Sequence, residues 1–418
     1  MSTPVDRRTL LRFGLGAGLV AVAGGVVGCE LSGPRGPVAL PAARPASLDR
    51  RRLVVIELAG GCDGLSMVVP YADDQYRAQR RSTGIDPAQV HRIDDVFGFH
   101  PALPQLSAMG AAVVTGVGVA NPDLSHFEML QRWWTGDPDG RTRPDTGFLG
   151  RICDVIGDPA APAVGVSLGL GASQPLACER VTTVSIDAGT AGAFPVPDTD
   201  GALQAAWLAA QRAMAHPDRS DSPMLVSTRS AAGAALRFTD VAANLPPASA
   251  GYPESDLGAQ LSLTARLLAD DQLGLRVVHV PVGADFDTHD DHLPRFGALM
   301  TDLDDAVAAL RRDLQRRALD NQVLIAVFTE FGRRVADNGS SGLDHGTASV
   351  AMLMGPTRSG VFGEPPSLRR LDADGNLVAT ANMTEFYATV AESWFGVPAD
   401  LVLPGRPKPI PGIIPVLR

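Results

Sequence analysis

Short apolar runs alternate with helical patterns along most of the chain, and this alternation defines the expected fold. Six runs are rich in aliphatic and β-branched residues and have the length of buried strands; they span residues 53–58, 112–117, 164–168, 275–282, 323–328 and 350–354. Helical patterns lie at 125–135, 203–217, 256–270, 292–316 and 383–396. This order predicts an α/β fold with a mostly parallel central sheet and helices on both faces.

The N-terminus has a different pattern. Residues 13–28 carry no charge and are too few to span a bilayer as a helix, but they have the length of a signal-peptide core. Arg7 and Arg8 precede this core, and the pair resembles the consensus of the twin-arginine export route. The core ends in VVGC, which resembles the lipobox of bacterial lipoproteins, with Cys29 as the lipid-carrying residue. A membrane anchor after a chance basic N-terminus, or cleavage with an unmodified Cys29, are the alternatives.

These features divide the chain. Residues 1–29 are the predicted signal peptide with its lipobox, and residues 30–50, rich in Pro, Gly, Ala and Arg, are a predicted flexible tether. Residues 51–418 form the predicted α/β domain, and the Ala-rich stretch 170–260 is a helical insertion or cap within it. The expected location is outside the cytoplasm, on a membrane to which the lipid anchors the protein.

Composition narrows the choice of partners. The 418-residue chain has a formal net charge of −10, and its 45% hydrophobic content is that of a packed globular protein. The acidic balance makes nucleic acid an unsuitable partner and favours cation binding. After Cys29 only Cys62, Cys153 and Cys178 remain, an odd set that is no disulfide framework but leaves one disulfide open.

Polar residues follow the apolar runs where the predicted strands end. In open parallel sheets, ligands bind beyond the carboxyl ends of the strands, so the sequence predicts one shared polar edge. The residues concerned are Asp63, Ser125, His126, Asp285, Asp287, His289, Glu330, Asp344 and His345.

The order of these segments resembles a known family. The runs LVVIELAGGCDGL, FGFHPAL, SHF, FDTH, TEFGRR, DHGT and YATVAESWFGVP occur here in the order of the domain-of-unknown-function 1501 family. The resemblance covers residues 51–410. It implies a three-layer α/β sandwich similar to the alkaline phosphatase and sulfatase superfamily, whereas the biochemical activity of the family is generally unassigned.

The superfamily resemblance also implies a metal site. Its members hold two metal ions, often zinc, with Asp and His at strand ends, and a Ser, Thr or modified Cys at a helix start is the nucleophile. The matching metal ligands are Asp63, Asp287, His289, Asp344 and His345, Ser125 matches the nucleophile, and His126 and Glu330 complete the candidate catalytic set. Carboxylate and imidazole are good ligands for zinc or a similar divalent ion, the expected cofactor.

The chain departs from the superfamily pattern. Asp287 and His289 are two residues apart, whereas the superfamily spaces this pair as Asp-x-x-x-His; Asp285 and His289 have that spacing. The chain has no histidine after His345, where a further ligand normally follows, and Glu330 is a substitute oxygen ligand. The sequence therefore leaves one metal ion, or none, as alternatives to two.

Several candidate residues also have structural interpretations. Ser125 and Glu128 form the pattern of a helix capping box, which would commit the Ser125 hydroxyl to the backbone. Glu330 is placed to pair with Arg333 or Arg334 as a salt bridge.

Other candidates have equally plain explanations. His126 would pack beside Trp133 and Trp134, and Asp63 with Gly64 would form only a turn. His292 is expected to begin the helix that follows it.

Two classes of function remain. The first is a metal-dependent hydrolase acting on a small anionic phosphate or sulfate ester outside the cytoplasm. The alternative is a non-catalytic envelope protein of the same fold that binds a protein partner in secretion or assembly.

Overall fold

The computed structural model describes residues 26–28, 46–142, 144–169, 171–188, 201–218, 220–283 and 285–415. Arg7, Arg8, Cys29 and most of the tether lie outside these ranges, so export and lipidation stay predictions. Across the described ranges, no helix is long and apolar enough to cross a membrane.

Most strands of the described residues belong to one central sheet. In chain order the strands are β1 (Val26–Gly28), β2 (Arg52–Leu58), β3 (Val68–Val69), β4 (His91–Arg92), β5 (Gly98–Phe99), β6 (Ala112–Gly118), β7 (Gly165–Ser167), β8 (Thr183–Ile186), β9 (Val277–Val282), β10 (Val323–Phe328), β11 (Ser349–Met354), β12 (Gly360–Phe362) and β13 (Ala381–Asn382). All six predicted strands are present, as β2, β6, β7, β9, β10 and β11.

Helices connect most of these strands. They are α1 (Gly64–Met67), α2 (Asp74–Gln79), α3 (Pro104–Met109), α4 (His126–Thr135), α5 (Phe148–Ile156), α6 (Gly201–Met214), α7 (Pro223–Ala242), α8 (Asp256–Leu268), α9 (His292–Arg316) and α10 (Met383–Ala388), and a π-helical turn, Thr389–Trp394, continues the last of them. The predicted long helix at 292–316 has those bounds, and it begins at His292 as expected.

The central sheet has the order β1-β8-β7-β9-β2-β10-β11-β6-β12, and β13 also pairs with β6. Five adjacent strands of this order are parallel to one another, namely β8, β7, β9, β2 and β10. Strand β11 is antiparallel to both β10 and β6, so β6 points the same way as β10. Strand β1 is antiparallel to β8 at the edge. The prediction of a mostly parallel sheet is confirmed.

Each face of the sheet packs against its own set of helices. Strand β2 is buried along its whole length, and its side chains alternate between the faces. Leu53 and Val55 belong to a core shared with α4, α5 and α10. Val54 and Ile56 belong to a second core shared with α8 and α9. Helices on both faces, as predicted, are therefore confirmed.

Some elements carried too weak a sequence signal to be predicted. Strand β8 lies within the Ala-rich stretch and adds to the central sheet beside β7. Strands β3, β5 and β4 form a separate antiparallel sheet of two-residue strands. Cys62, Cys153 and Cys178 are buried thiols in the structure, and none of them is in a disulfide.

Candidate functional site

Polar residues converge where β2, β9 and β10 end and β11 begins. Glu330 lies two residues after β10, with its side chain fully buried. Its Oε1 accepts hydrogen bonds from the backbone N–H groups of Gly60 and Gly61, each at 2.9 Å. Its Oε2 accepts one from the Thr329 hydroxyl at 2.9 Å. Glu330 thus joins the loop after β2 to the end of β10.

The two glycines are required by this geometry. Gly60 has φ 107° and Gly61 has φ 64°, a backbone region that glycine enters without steric cost. Both N–H groups therefore point at one carboxylate. A Cβ at Gly61 would lie 2.5 Å from the ring of Phe331. The Gly-Gly pair is thus a cradle for Glu330.

His126 is the first residue of α4, and its ring reaches across to Glu330. Its Nδ1 lies 2.6 Å from Glu330 Oε1, and because a carboxylate accepts, Nδ1 is the protonated nitrogen. Its Nε2 lies 3.1 Å from His345 Nε2. The ring packs 4.7 Å from that of Phe331.

His345 is oriented by a backbone carbonyl. Its Nδ1 lies 2.8 Å from the Leu124 carbonyl oxygen, which only accepts, so Nδ1 again carries the hydrogen. Its Nε2 therefore presents a lone pair to His126 Nε2, and Asp287 Oδ1 lies 3.2 Å away. Both imidazoles thus turn an unprotonated nitrogen toward the same carboxylate.

Asp287 is held by Arg333, whose side chain is fully buried. The guanidinium donates to Asp287 Oδ1, to Gly61 O at 2.7 Å and to Leu343 O at 3.1 Å. Burial raises the pKa of Asp287, but the hydrogen bond and charge of Arg333 outweigh it and hold the pKa below its usual range. Arg333 therefore ties three loops together and keeps Asp287 ionised.

His289 and Asp344 form an outer layer of the site. His289 Nε2 lies 3.1 Å from Asp287 Oδ1, and its Nδ1 lies 3.3 Å from Asp344 Oδ1. Asp344 also accepts from Asn338 Nδ2 at 3.2 Å, and this bond, with His289, lowers the pKa of Asp344. In the described contacts, His289 therefore connects Asp344 to Asp287.

The donor atoms fit a divalent transition-metal ion. Nε2 of His126, Oδ1 of Asp287 and Nε2 of His345 lie within 4.8 Å of one another, and no other described residues form such a group. Their separations are 3.1, 3.2 and 3.7 Å. Ligand atoms about 2.0–2.1 Å from a tetrahedral ion lie about 3.3 Å apart. Three ligands would leave one position open, as in catalytic zinc sites.

Ser125 lies beside this centre, directly before α4. It has φ −90° and ψ 124°, the extended conformation of an N-cap residue, but its side chain makes no capping hydrogen bond. The alternative of a capping box with Glu128 is therefore wrong. Glu128 instead lies 3.3 Å from Arg132 as an i,i+4 pair. The Ser125 side chain is exposed.

Asp63 lies outside this donor group and faces Arg80 instead. Both of its oxygens face Arg80, with Nη2 at 2.9 Å from Oδ1, and both side chains are fully buried. Burial raises the pKa of Asp63, but Arg80 outweighs it and lowers the pKa to about 2. His292 Nε2, 3.5 Å from Asp63 Oδ2, belongs to the same cluster, and burial lowers its pKa to about 4. The structure thus separates Asp63 from the other predicted ligands.

The sequence does not predict the roles of two buried arginines. It suggests Arg333 as a partner for Glu330, whereas the structure places Arg333 against Asp287 and backbone carbonyls. The described hydrogen bonds of the Glu330 side chain go to His126, Thr329 and the glycines. Arg80 stands in the arginine-rich sequence YRAQRRS, where nothing distinguishes it from its exposed neighbours.

The chain therefore combines an α/β fold with a three-donor centre at one edge of its sheet. It belongs to the family described as protein of unknown function DUF1501, whose sequence profile matches residues 97–393. The family identified from the motifs is confirmed. No curated protein sequence matches the chain significantly.

Several solved structures are similar to this chain in overall topology. The C-terminal periplasmic domain of EcEptC from Escherichia coli, in complex with Zn, is 13% identical, with a TM-score of 0.40 and 87% of each chain covered. The lipoteichoic acid synthase LtaP from Listeria monocytogenes is 8% identical, with a TM-score of 0.39 and coverage of 83% of this chain and 72% of the other. A protein of the alkaline phosphatase superfamily from Vibrio parahaemolyticus is 9% identical, with a TM-score of 0.41 and coverage of 89% and 69%. These values are too low to assign an activity.

Proposed function

We propose that this protein binds one divalent transition-metal ion, zinc or a similar ion, and hydrolyses phosphate or sulfate esters. The ligands are His126, Asp287 and His345. The observation that carries the proposal is the spacing of their three donor atoms, 3.1, 3.2 and 3.7 Å, which suits a tetrahedral ion with one open position.

The protonation pattern supports the same conclusion. The Nδ1 atoms of His126 and His345 donate to Glu330 and to the Leu124 carbonyl, so both Nε2 atoms present lone pairs. Two lone pairs and a carboxylate oxygen at 3.1–3.7 Å repel one another, and a cation bound between them would turn this repulsion into attraction. A metal-bound histidine usually donates its other N–H to a carboxylate or carbonyl in this way.

Each neighbouring residue has a role in this proposal. Glu330 orients His126, and the Leu124 carbonyl orients His345. Arg333 keeps Asp287 in the anionic form that binds a cation. When bound, the metal would polarise an ester oxygen and lower the pKa of a hydroxyl group. His289 and Asp344 border the centre and would limit the room for the substrate.

Ser125 is the proposed nucleophile. Its hydroxyl is not used as a helix cap, and it lies at the N-terminus of α4, where the helix dipole favours an anionic substrate. Its Oγ would form a bond to phosphorus or sulfur as the bond to the alcohol oxygen breaks. The hydroxyl proton passes to solvent, to which Ser125 is exposed, and the alcohol oxygen takes up a proton from solvent. Water then cleaves the phosphoseryl or sulfoseryl intermediate and regenerates Ser125.

Metal content tests the centre directly. Mature protein dialysed against zinc should retain about one equivalent, and His126→Ala and His345→Ala should retain almost none. Phe127→Ala is the matched control, because Phe127 follows His126 on the same helix and its side chain is 86% exposed. Equal zinc content in all four proteins, or none in the wild type, would refute the centre.

Turnover tests the reaction separately. A panel of aryl phosphate and sulfate esters should show activity that chelation removes and zinc restores, and Ser125→Ala should abolish it. Zinc binding without turnover on the whole panel would favour the alternative, a partner-binding envelope protein. Activity retained in Ser125→Ala would exclude that residue as nucleophile.

The proposed site of action is outside the cytoplasm, on a membrane. The basis is the sequence alone, with Arg7 and Arg8 before the short apolar core and Cys29 at its end. Replacing both arginines by lysine should retain the protein in the cytoplasm, and Cys29→Ala should release it from membranes. A mature N-terminus at Cys29 without acyl mass would contradict the lipid anchor.

A further inference from the structure

A second concave site lies between the central sheet and the three-stranded sheet. It is a cavity of 180 Å³ lined mainly by apolar side chains from both sheets and from the segment 365–377. The zinc ligands proposed above do not line it. Arg333 does, and the same side chain donates to Asp287, so the cavity and the candidate metal centre share one wall.

A bulge in β6 forms part of this cavity. Val114 pairs with Ala351 and Val117 pairs with Ser349, so Thr115 and Gly116 together oppose the single residue 350. Gly116 has φ 67°, a backbone region that glycine enters without steric cost. Thr115, Gly116 and Val350 all line the cavity. The cavity therefore lies where the ladder between β6 and β11 is interrupted.

Thr115 is the polar residue of this wall whose hydrogen bonding is incomplete. It is 3% exposed, and its hydroxyl oxygen has no hydrogen-bond partner among the described residues. Because side chains alternate along a strand, Thr115 points to the same face as Val113, which is the face toward the second sheet. A buried hydroxyl without a partner destabilises the fold, and a ligand with a matching polar group would satisfy it.

The charged groups of the wall already have partners. Asp63 is paired with Arg80, and Asp73 accepts from the Gln75 backbone N–H at 2.8 Å. Arg333 donates to Asp287 and to carbonyl oxygens. The Ser349 hydroxyl donates to the Cys62 carbonyl at 3.0 Å. An anionic ligand would therefore lose its hydration without gaining a counter-ion, since Arg333 is already paired with Asp287.

We propose that this cavity binds a small, uncharged, largely apolar molecule with one hydroxyl or carbonyl group next to Thr115. The size is that of one aromatic ring or a short acyl chain, since an engineered cavity of about 150 Å³ binds benzene. The apolar part fills the space between the sheets, and its polar group pairs with the Thr115 hydroxyl. Phenol is a suitable probe, because it has one ring, one hydroxyl group and no charge at neutral pH.

The experiment compares phenol, toluene and benzoate by ligand-observed NMR and by their effect on the unfolding temperature of the full chain. Phenol and toluene should bind, and benzoate should bind at least about tenfold more weakly because of its charge. Thr115→Val should weaken phenol about fivefold and leave toluene within twofold, the difference expected for one hydrogen bond. Thr301→Val is the matched control, since Thr301 is exposed on α9 and away from the cavity lining.

Two further variants test the location. Leu368→Phe should fill the cavity, and Val96→Trp, at a lining residue that is 44% exposed, should close it from outside with little risk to folding. Loss of phenol and toluene binding in Val96→Trp supports the proposal. Unchanged binding in both variants, equal binding of benzoate, or no binding of phenol to the wild type would overturn it.

Discussion

Replacing Arg80 by methionine should destabilise the fold strongly without removing a metal ligand. Arg80 is fully buried, and its guanidinium donates to both oxygens of Asp63, to Val335 O at 3.0 Å and to Arg334 O at 3.0 Å. Methionine has a similar length but no donor, so the Asp63 charge would stay buried without a counter-ion. Removing one partner of a buried ion pair costs about 3–5 kcal/mol.

The pKa of Asp63 gives a second value for the energy of this ion pair. Its value of about 2, against the ordinary 3.8, corresponds to about 2 kcal/mol of preference for the ionised form in the folded state. Because the folded pKa is the lower one, this stabilisation is complete above about pH 4 and is lost as the pH falls through 2. The stability difference between wild type and Asp63→Asn should therefore shrink over that acidic range.

Urea unfolding at pH 7 measures the effect. Arg80→Met should lose about 3–5 kcal/mol, and the double variant with Asp63→Leu should recover about 2 kcal/mol, because no unpaired charge remains. Arg77→Met is the control, on the helix that ends directly before Arg80; Arg77 is exposed and should change stability by less than about 0.5 kcal/mol. If Arg80→Met behaved like Arg77→Met, or if Asp63→Asn lost bound zinc, the ion-pair assignment would be refuted.

Four other outcomes follow from the same contacts. Glu330→Gln should lower zinc affinity about 10–100-fold in equilibrium dialysis, because His126 loses its carboxylate acceptor. Arg333→Lys should cost at least about 3 kcal/mol in urea unfolding, since lysine cannot reproduce the forked contacts to Asp287 and the loop carbonyls. Gly116→Ala should cost about 1–3 kcal/mol, because its φ is 67° and a Cβ would lie 2.1 Å from Thr380 Oγ1. Chelation should lower the unfolding temperature of the wild type and leave that of His345→Ala unchanged.

The sequence predicts much of the fold because the central strands are buried on both faces. A strand such as β10, VLIAVF, is continuously apolar, and such runs are visible without knowledge of their neighbours. Strands β3, β4 and β5 have two residues each, too few for any periodicity. Strand β8, TVSI, is half polar and was hidden in an Ala-rich context.

The sequence predicts the edge of the sheet at which these polar residues converge, but it does not predict which of them contact one another. His126, Asp287, Glu330 and His345 follow or precede strands of that edge, and the structure brings them together. Which polar residue contacts which depends on loop conformation, and nothing local to Asp63 indicates that it turns toward Arg80. Asp344 is adjacent to His345 in sequence, but it contacts His289.

The two buried arginines explain why the structure has one candidate metal centre rather than two. A carboxylate at a strand end needs a cation when it is buried, and either a metal or a guanidinium meets that need. At Asp63 the guanidinium of Arg80 contacts both oxygens and both side chains are fully buried, so this carboxylate already has its cation. At Asp287 the guanidinium of Arg333 donates to Oδ1, and the carboxylate stays 36% exposed beside two histidine nitrogens. The two arginines therefore determine which carboxylate is accessible to a divalent ion. Asp63 is buried against Arg80, whereas Asp287 is kept ionised by Arg333 and remains partly exposed.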